Sequence, residues 1–184
     1  MSKLAKRAID LPEKVEVLFE KDKLKIKGAK GELFLNLKRG INVKIEKDKI
    51  YIEKDKKITL AKPFLGLSWS LLKNAIQGVS KGFEKRLLLV GVGFRAQIKG
   101  KKLDLQVGCS HPTELDIPEG IEVKIEKATE IILNGIDKMK LGLFAAKIRK
   151  IKVPEPYKGK GIRYKEEYVR KKAGKAAKGK GATA

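Results

Sequence analysis

Cysteine, histidine and tryptophan each occur once in these 184 residues, and aromatic residues make up only 6 %. A single cysteine, Cys109, excludes an intramolecular disulfide framework and fits a reducing compartment. With one histidine besides, a zinc site would have to be completed by carboxylates, a poor donor set for that ion. Long apolar runs are missing too. The longest, Leu87 to Phe94, falls far short of the roughly 20 residues a membrane-spanning helix needs. The opening Met-Ser-Lys-Leu-Ala-Lys-Arg-Ala-Ile-Asp lacks the apolar centre of a signal peptide. A cytoplasmic location is expected, with no membrane partner. Asparagine and glutamine total only 7 residues. An amide-poor, Lys/Glu-rich composition is found in hyperthermophile proteins, and a GC-poor genome also favours it.

What the chain has in plenty is lysine, 37 residues against 7 arginines, giving a net charge of +22 and a pI near 10.0. Such a charge calls for a polyanionic partner. Hydrophobic residues at 42 % still allow a folded core. The charge is unevenly spread: residues 1–82 carry net +10, residues 83–157 net +4, and residues 158–184 net +8. The C-terminal stretch is the densest positive element.

The sequence also repeats itself at a spacing of about eighty residues. Ile41-Asn-Val-Lys-Ile-Glu-Lys47 returns as Ile121-Glu-Val-Lys-Ile-Glu-Lys127. Upstream, Ile26-Lys-Gly28 with Leu33 and Leu35 answers to Ile98-Lys-Gly100 with Leu103 and Leu105. Downstream, Leu65-Gly-Leu67 answers to Leu141-Gly-Leu143. In each half, period-two segments come first: Val15–Phe19, Leu24–Ile26, Leu33–Leu37, Val43–Ile45 and Ile50–Ile52, then Leu87–Val92, Phe94–Ile98, Leu103–Val107, Leu115–Ile117, Val123–Ile125 and Ile131–Leu133. Gly28-Ala-Lys-Gly31 and Lys47-Asp-Lys49 read as turns. One helix closes each half. Phe64, Leu67, Leu71, Leu72, Ala75 and Ile76 recur at helical spacing in the first, and Leu141, Phe144, Ala145 and Ile148 in the second. A half-apolar sheet and an amphipathic helix bury each other. The expected fold is α+β: two tandem duplicated domains, residues 1–81 and 82–157, each an antiparallel β-sheet packed by one α-helix, with a basic extension at 158–184.

Three local patterns invite sharper readings. Gly91-Val-Gly-Phe-Arg-Ala96 fits G-x-G-x-x-A, with Asp116 twenty residues on. That fingerprint works only where a helix N-terminus follows, and Phe94–Ile98 alternates like a strand. Cys109, Ser110 and His111 are neighbours, but a nucleophile and its base must converge in space, and His111 runs into a Pro112 turn. Trp69 sits among Leu67, Leu71 and Leu72, which fits packing better than base stacking. Carboxylates such as Glu46 and Glu122 alternate with lysines and read as solvated cross-strand pairs. No catalytic residue and no metal ligand is expected, nor a cofactor or small-molecule substrate.

Residues Pro154 to Tyr164, Pro-Glu-Pro-Tyr-Lys-Gly-Lys-Gly-Ile-Arg-Tyr, carry the functional signal. Prolines end the preceding helical pattern. Gly159 and Gly161 would let the backbone approach a partner closely. Lys158, Lys160 and Arg163 suit phosphates, and Tyr157 and Tyr164 suit stacking on bases. Arg170, Lys171 and Lys172 extend the basic run. Too few apolar side chains follow Pro156 for a core, so this segment is expected to be mobile until it meets RNA, and dispensable for thermal stability.

This segment closely resembles the C-terminal signature of bacterial large-subunit ribosomal protein six. The resemblance extends over nearly the whole chain. It includes Asn74…Gly78-Val…Gly82-Phe83, Gly91-Val-Gly-Phe-Arg-Ala96, Ser110-His-Pro112 with Pro118-Glu-Gly-Ile121, and Gly135-Ile-Asp-Lys138. Cys109 departs from the bulky residue of the family pattern. The resemblance implies a non-enzymatic constituent of the large ribosomal subunit that binds 23S rRNA near the stalk base and factor-binding region, beside neighbouring ribosomal proteins, and supports translation. An architectural DNA-binding protein is the alternative that the charge permits, although the first expected helix carries only Lys73 as a basic residue between Phe64 and Gly78.

Overall fold

The computed structural model describes residues 7–20, 23–37, 40–46, 49–54, 64–109, 111 and 113–174. The chain forms two compact units. One runs to Phe83 and takes in Gly135–Lys138; the other comprises Glu84–Asn134 and the chain from Met139 onward.

In the first unit the strands are β1 (Ile9–Asp10), β2 (Glu16–Glu20), β3 (Lys23–Gly28), β4 (Gly31–Asn36), β5 (Ile41–Glu46) and β6 (Lys49–Lys54), followed by α1 (Phe64–Ser80). They form two three-stranded sheets, β2-β3-β4 and β1-β6-β5. Alternation aims Leu24 and Ile26 of β3 inward, opposite Leu35 and Leu33 of β4. Leu65, Trp69, Leu72, Ile76 and Val79 recur every three or four residues along α1 and close the same core. Each such side chain contributes about 1.5–3 kcal/mol by leaving water. Gly28 ends β3 against the helix, where a Cβ would stand 2.7 Å from the Val79 carbonyl oxygen. The expected turn at Lys47-Asp-Lys49 falls partly outside the described residues, with Lys49 opening β6.

The second unit holds β7 (Phe83–Val90), β8 (Arg95–Lys99), β9 (Lys102–Gln106), β10 (Thr113–Asp116), β11 (Ile121–Glu126), β12 (Glu130–Gly135), α2 (Lys138–Ile151) and β13 (Gly161–Tyr164). Its sheets are β8-β9-β10 and β11-β12-β7-β13. Leu141, Phe144, Ala145 and Ile148 form the buried face of α2, as their spacing requires.

Strand for strand the two units agree. The orders β1-β6-β5 and β7-β12-β11 correspond, as do the meanders β2-β3-β4 and β8-β9-β10. Ile41–Glu46 and Ile121–Glu126 occupy equivalent strands, each opening on a buried isoleucine. The duplicated α+β architecture is therefore present in the topology, with two sheets per unit where one was expected. One part of the repeat needs correction. Ile26–Gly28 lies in the middle strand of its meander and Ile98 in the first strand of the other, so that pairing slips by one strand. The true counterparts of the buried Leu24 and Ile26 are the buried Leu103 and Leu105. Alternating Lys/Leu/Ile strands resemble their neighbours closely enough to permit the slip.

A second correction concerns the chain end. Far from contributing nothing to a core, Gly161–Tyr164 forms the outer strand of the four-stranded sheet, antiparallel to β7, with Ile162 opposite Leu89 and fully buried. Pairing with β7 along all four residues, together with the burial of Ile162, makes this stretch a strand, and the register decides that Ile162 faces the core.

Candidate nucleic-acid interface

Beyond α2 the chain makes a closed loop. The Glu155 N–H donates to the Lys160 carbonyl at 2.9 Å, and the Gly159 N–H donates to the Glu155 carbonyl at 3.1 Å. β13 then leaves the loop, held to the end of α2 by the Ile162 N–H donating to the Lys152 carbonyl at 2.7 Å. After β13 the chain turns back. The Lys172 N–H donates to the Pro156 carbonyl at 2.8 Å, which brings the Arg170–Lys172 run onto the Tyr157–Lys160 loop.

That return gathers most of the expected site residues. Tyr157 is 58 % exposed, and Lys158, Lys160, Arg170, Lys171 and Lys172 are all exposed. Lys171 Cε lies 3.8 Å from the position a Gly159 Cβ would take. Arg163 and Tyr164, by contrast, are half-buried on β13. The Tyr164 ring has Lys85 Nζ 5.6 Å from its centroid, so one face already holds a cation. Arg163 Nε is buried and without a hydrogen-bond partner among the described residues.

The two glycines need a different explanation from the one their sequence suggested. Gly161 adopts φ 144°, and a Cβ there would stand 2.7 Å from Pro154 Cα. The close partner is the chain's own Pro154. Gly159, at φ 74°, supplies the left-handed turn that closes the loop.

Electrostatics fasten this segment to the fold. Arg149 on α2 meets Glu167 through Nε to Oε2 at 3.0 Å and Nη2 to Oε1 at 2.5 Å. Glu167 Oε2 also accepts the Tyr164 N–H at 3.2 Å. Hydrogen bonding from Arg149, aided by the Tyr164 N–H, holds the Glu167 carboxyl below its usual range, and Glu167 in turn raises Arg149. Lys165 Nζ reaches Glu130 Oε1 at 2.8 Å and lowers that carboxyl likewise.

Sequence reading passed over three features. Tyr168 is 89 % exposed beside Arg170 and Lys171. Glu167 acts as an anchor, and nothing local in the sequence signals its partner 18 residues earlier. Lys140, Leu143, Lys147 and Lys150 form an exposed stripe on α2, which their three- and four-residue spacing would have revealed.

The other singled-out residues lie elsewhere. Gly91–Phe94 is a turn between β7 and β8, with no helix N-terminus behind it. Cys109 and His111 are exposed, while Ser110 and Pro112 lie outside the described residues. Trp69 is buried, and its Nε1–H donates to the Arg7 carbonyl at 2.8 Å. Lys44–Glu53 and Lys102–Glu114 are solvated cross-strand pairs; Asp104 is a buried exception, with Lys99 Nζ at 2.6 Å.

Comparison with known proteins settles the family. The model for "Ribosomal protein L6" matches twice, over residues 11–82 and 90–165. The chain belongs to the ribosomal protein L6 family. The two matches fall one on each repeat, and the second ends at Lys165, one residue beyond β13. Among its L6-family relatives, the large ribosomal subunit protein uL6 of Chlamydia muridarum is 47 % identical over 180 residues, 97 % of this chain and 98 % of its own length. The uL6 proteins of Crocosphaera subtropica and Syntrophomonas wolfei are each 48 % identical, over 97 % and 96 % of this chain and 99 % and 98 % of theirs.

Proposed function

We propose that the chain is a structural, non-enzymatic constituent of the cytoplasmic large ribosomal subunit. It binds 23S rRNA through the face formed by Tyr157–Lys160 and Tyr168–Lys172, near the stalk base and factor-binding region, beside neighbouring ribosomal proteins. The observation that carries this reading is the Lys172-to-Pro156 hydrogen bond. It converts two separated basic segments into one surface of exposed cations and tyrosines, the pairing of phosphate contacts with stacking platforms that RNA requires.

Arg163, Tyr164, Gly159 and Gly161 shape and hold that surface, and the exposed residues make the contact. A photo-cross-linking residue at position 157, carried into assembled large subunits, tests the reading. Cross-links to 23S rRNA close to the stalk base are expected. Cross-links confined to protein, or to rRNA remote from the stalk, contradict the contact or its location respectively.

A further inference from the structure

The duplication makes a difference between the units informative. In the second, β13 fills the slot between β7 and the end of α2, with Ile162 buried and Glu167 on Arg149. The first unit has an open groove in the corresponding place, between β1 and α1, lined by Ile9, Pro12, Trp69, Lys73, Ile76 and Lys81 among others. Among the described residues no strand pairs with β1 except β6.

Matching Leu65-Gly-Leu67 to Leu141-Gly-Leu143 puts Lys73 at the place of Arg149 and Ile76 at that of Lys152. The basic residue that anchors the strap in one unit thus has a basic counterpart in the other. Lys73 has no carboxylate partner among the described residues; its Nζ stands 5.1 Å from the Trp69 ring centroid.

We propose that this groove binds an extended segment of a partner protein, which adds as a strand to the edge of β1 that no described strand covers. The segment would place an aliphatic side chain where Ile162 lies in the second unit, and a carboxylate five residues later on Lys73, as Glu167 lies on Arg149. A polypeptide fits better than RNA for two reasons. A strand edge offers N–H and C=O groups to another backbone. The floor of Ile9 and Ile76 is apolar, and Trp69 is buried, bonded through Nε1–H to the Arg7 carbonyl and covered on its ring by Lys73, which makes it a poor platform for a base. Two lysines, Lys73 and Lys81, face one carboxylate, Asp10, in the lining, and this net positive balance favours an acidic segment over a basic one.

Trp69 is the only tryptophan and lines the groove, so its fluorescence in the full chain reports on this site alone. The probe is a capped peptide, Gly-Ile-Ser-Thr-Ser-Glu-Glu, which keeps the aliphatic-to-carboxylate spacing of β13 and drops its basic residues. A saturable change in Trp69 emission is expected, with shifts at the Ile9 and Asp10 amides in NMR spectra. Lys73→Gln should weaken binding at least fivefold. A peptide ending in Gln should be weakened similarly on the unaltered chain and lose nothing further on the variant. Should Lys73→Gln disturb folding, the Gln-ended peptide on the unaltered chain decides alone. Absence of a saturable response, equal affinity for both peptides, or a saturable Trp69 response to 23S rRNA in place of the peptide would each overturn the proposal.

Discussion

Arg149 and Glu167 form a two-pronged ion pair that ties the chain beyond β13 to helix α2, 18 residues earlier. Two parallel N–H···O bonds fix orientation as well as distance, and the same carboxylate caps the Tyr164 N–H. Glu167→Ala should therefore lower stability by about 1–2 kcal/mol, a charge-assisted hydrogen-bond loss discounted for partial exposure. Chemical denaturation measures it, and the loss should not add to that of Arg149→Met.

Acid should reveal the same contact. Arg149 holds the folded Glu167 carboxyl below its ordinary value of 4.5, so the unfolded chain binds more protons in this range. The stabilisation is complete above that value and is lost as pH falls through the lower folded one. Arg149→Met should flatten the decline of stability below pH 4.5, and a fall of unchanged steepness would contradict the assignment.

β13 is part of the second unit's core. Ile162→Ala should cost about 2–4 kcal/mol, the usual range for emptying a fully buried aliphatic site. Truncation after Pro156 should destabilise further, since it removes the strand and the Glu167 anchor together. Thermal unfolding of both variants is the check; unchanged midpoints would mean that the strand is dispensable.

The glycines of the loop should differ in tolerance. Gly159→Ala meets only the positive φ, at about 1–2 kcal/mol, because its Cβ would be in ordinary contact at 3.8 Å. Gly161→Ala would add a backbone clash with Pro154 and should be the more damaging of the two. Equal destabilisation would contradict the Pro154 contact.

The repeating strands and both helices were legible because their signals are local. Leu141, Phe144, Ala145 and Ile148 fall at helical spacing, and β5 and β11 share nearly the same residues. β13 was not legible. Gly-Ile-Arg-Tyr contains one aliphatic residue, its neighbours are basic, and its partner strand β7 lies more than seventy residues earlier. β1, with two residues, is too short to show a period. At the candidate site, composition brought out Tyr157, Lys158 and Lys160. It could not show that Gly161 and Arg163 serve the strand, or that Tyr168 stands exposed, because those assignments depend on which way β13 faces and where the chain returns.

Stacking should distinguish the tyrosines. Tyr157→Ala and Tyr168→Ala should each weaken 23S rRNA binding by about 1–3 kcal/mol with little change in salt dependence. Tyr164→Ala should act on folding stability first, since its ring is half-buried under Lys85. Equilibrium binding beside thermal unfolding for the three variants separates these effects.

The proposed rRNA-binding surface is tested most directly by a salt titration of binding to 23S rRNA, comparing the full chain with a Lys158→Gln, Lys171→Gln, Lys172→Gln variant. These three side chains are exposed and outside every described ion pair, so the fold should be retained, and thermal unfolding confirms it. If all three reach phosphates, the variant binds more weakly and the slope of log K against log salt becomes shallower by about 2 to 3. A variant with unchanged unfolding that binds 23S rRNA as tightly, and with the same slope, as the full chain would contradict the account.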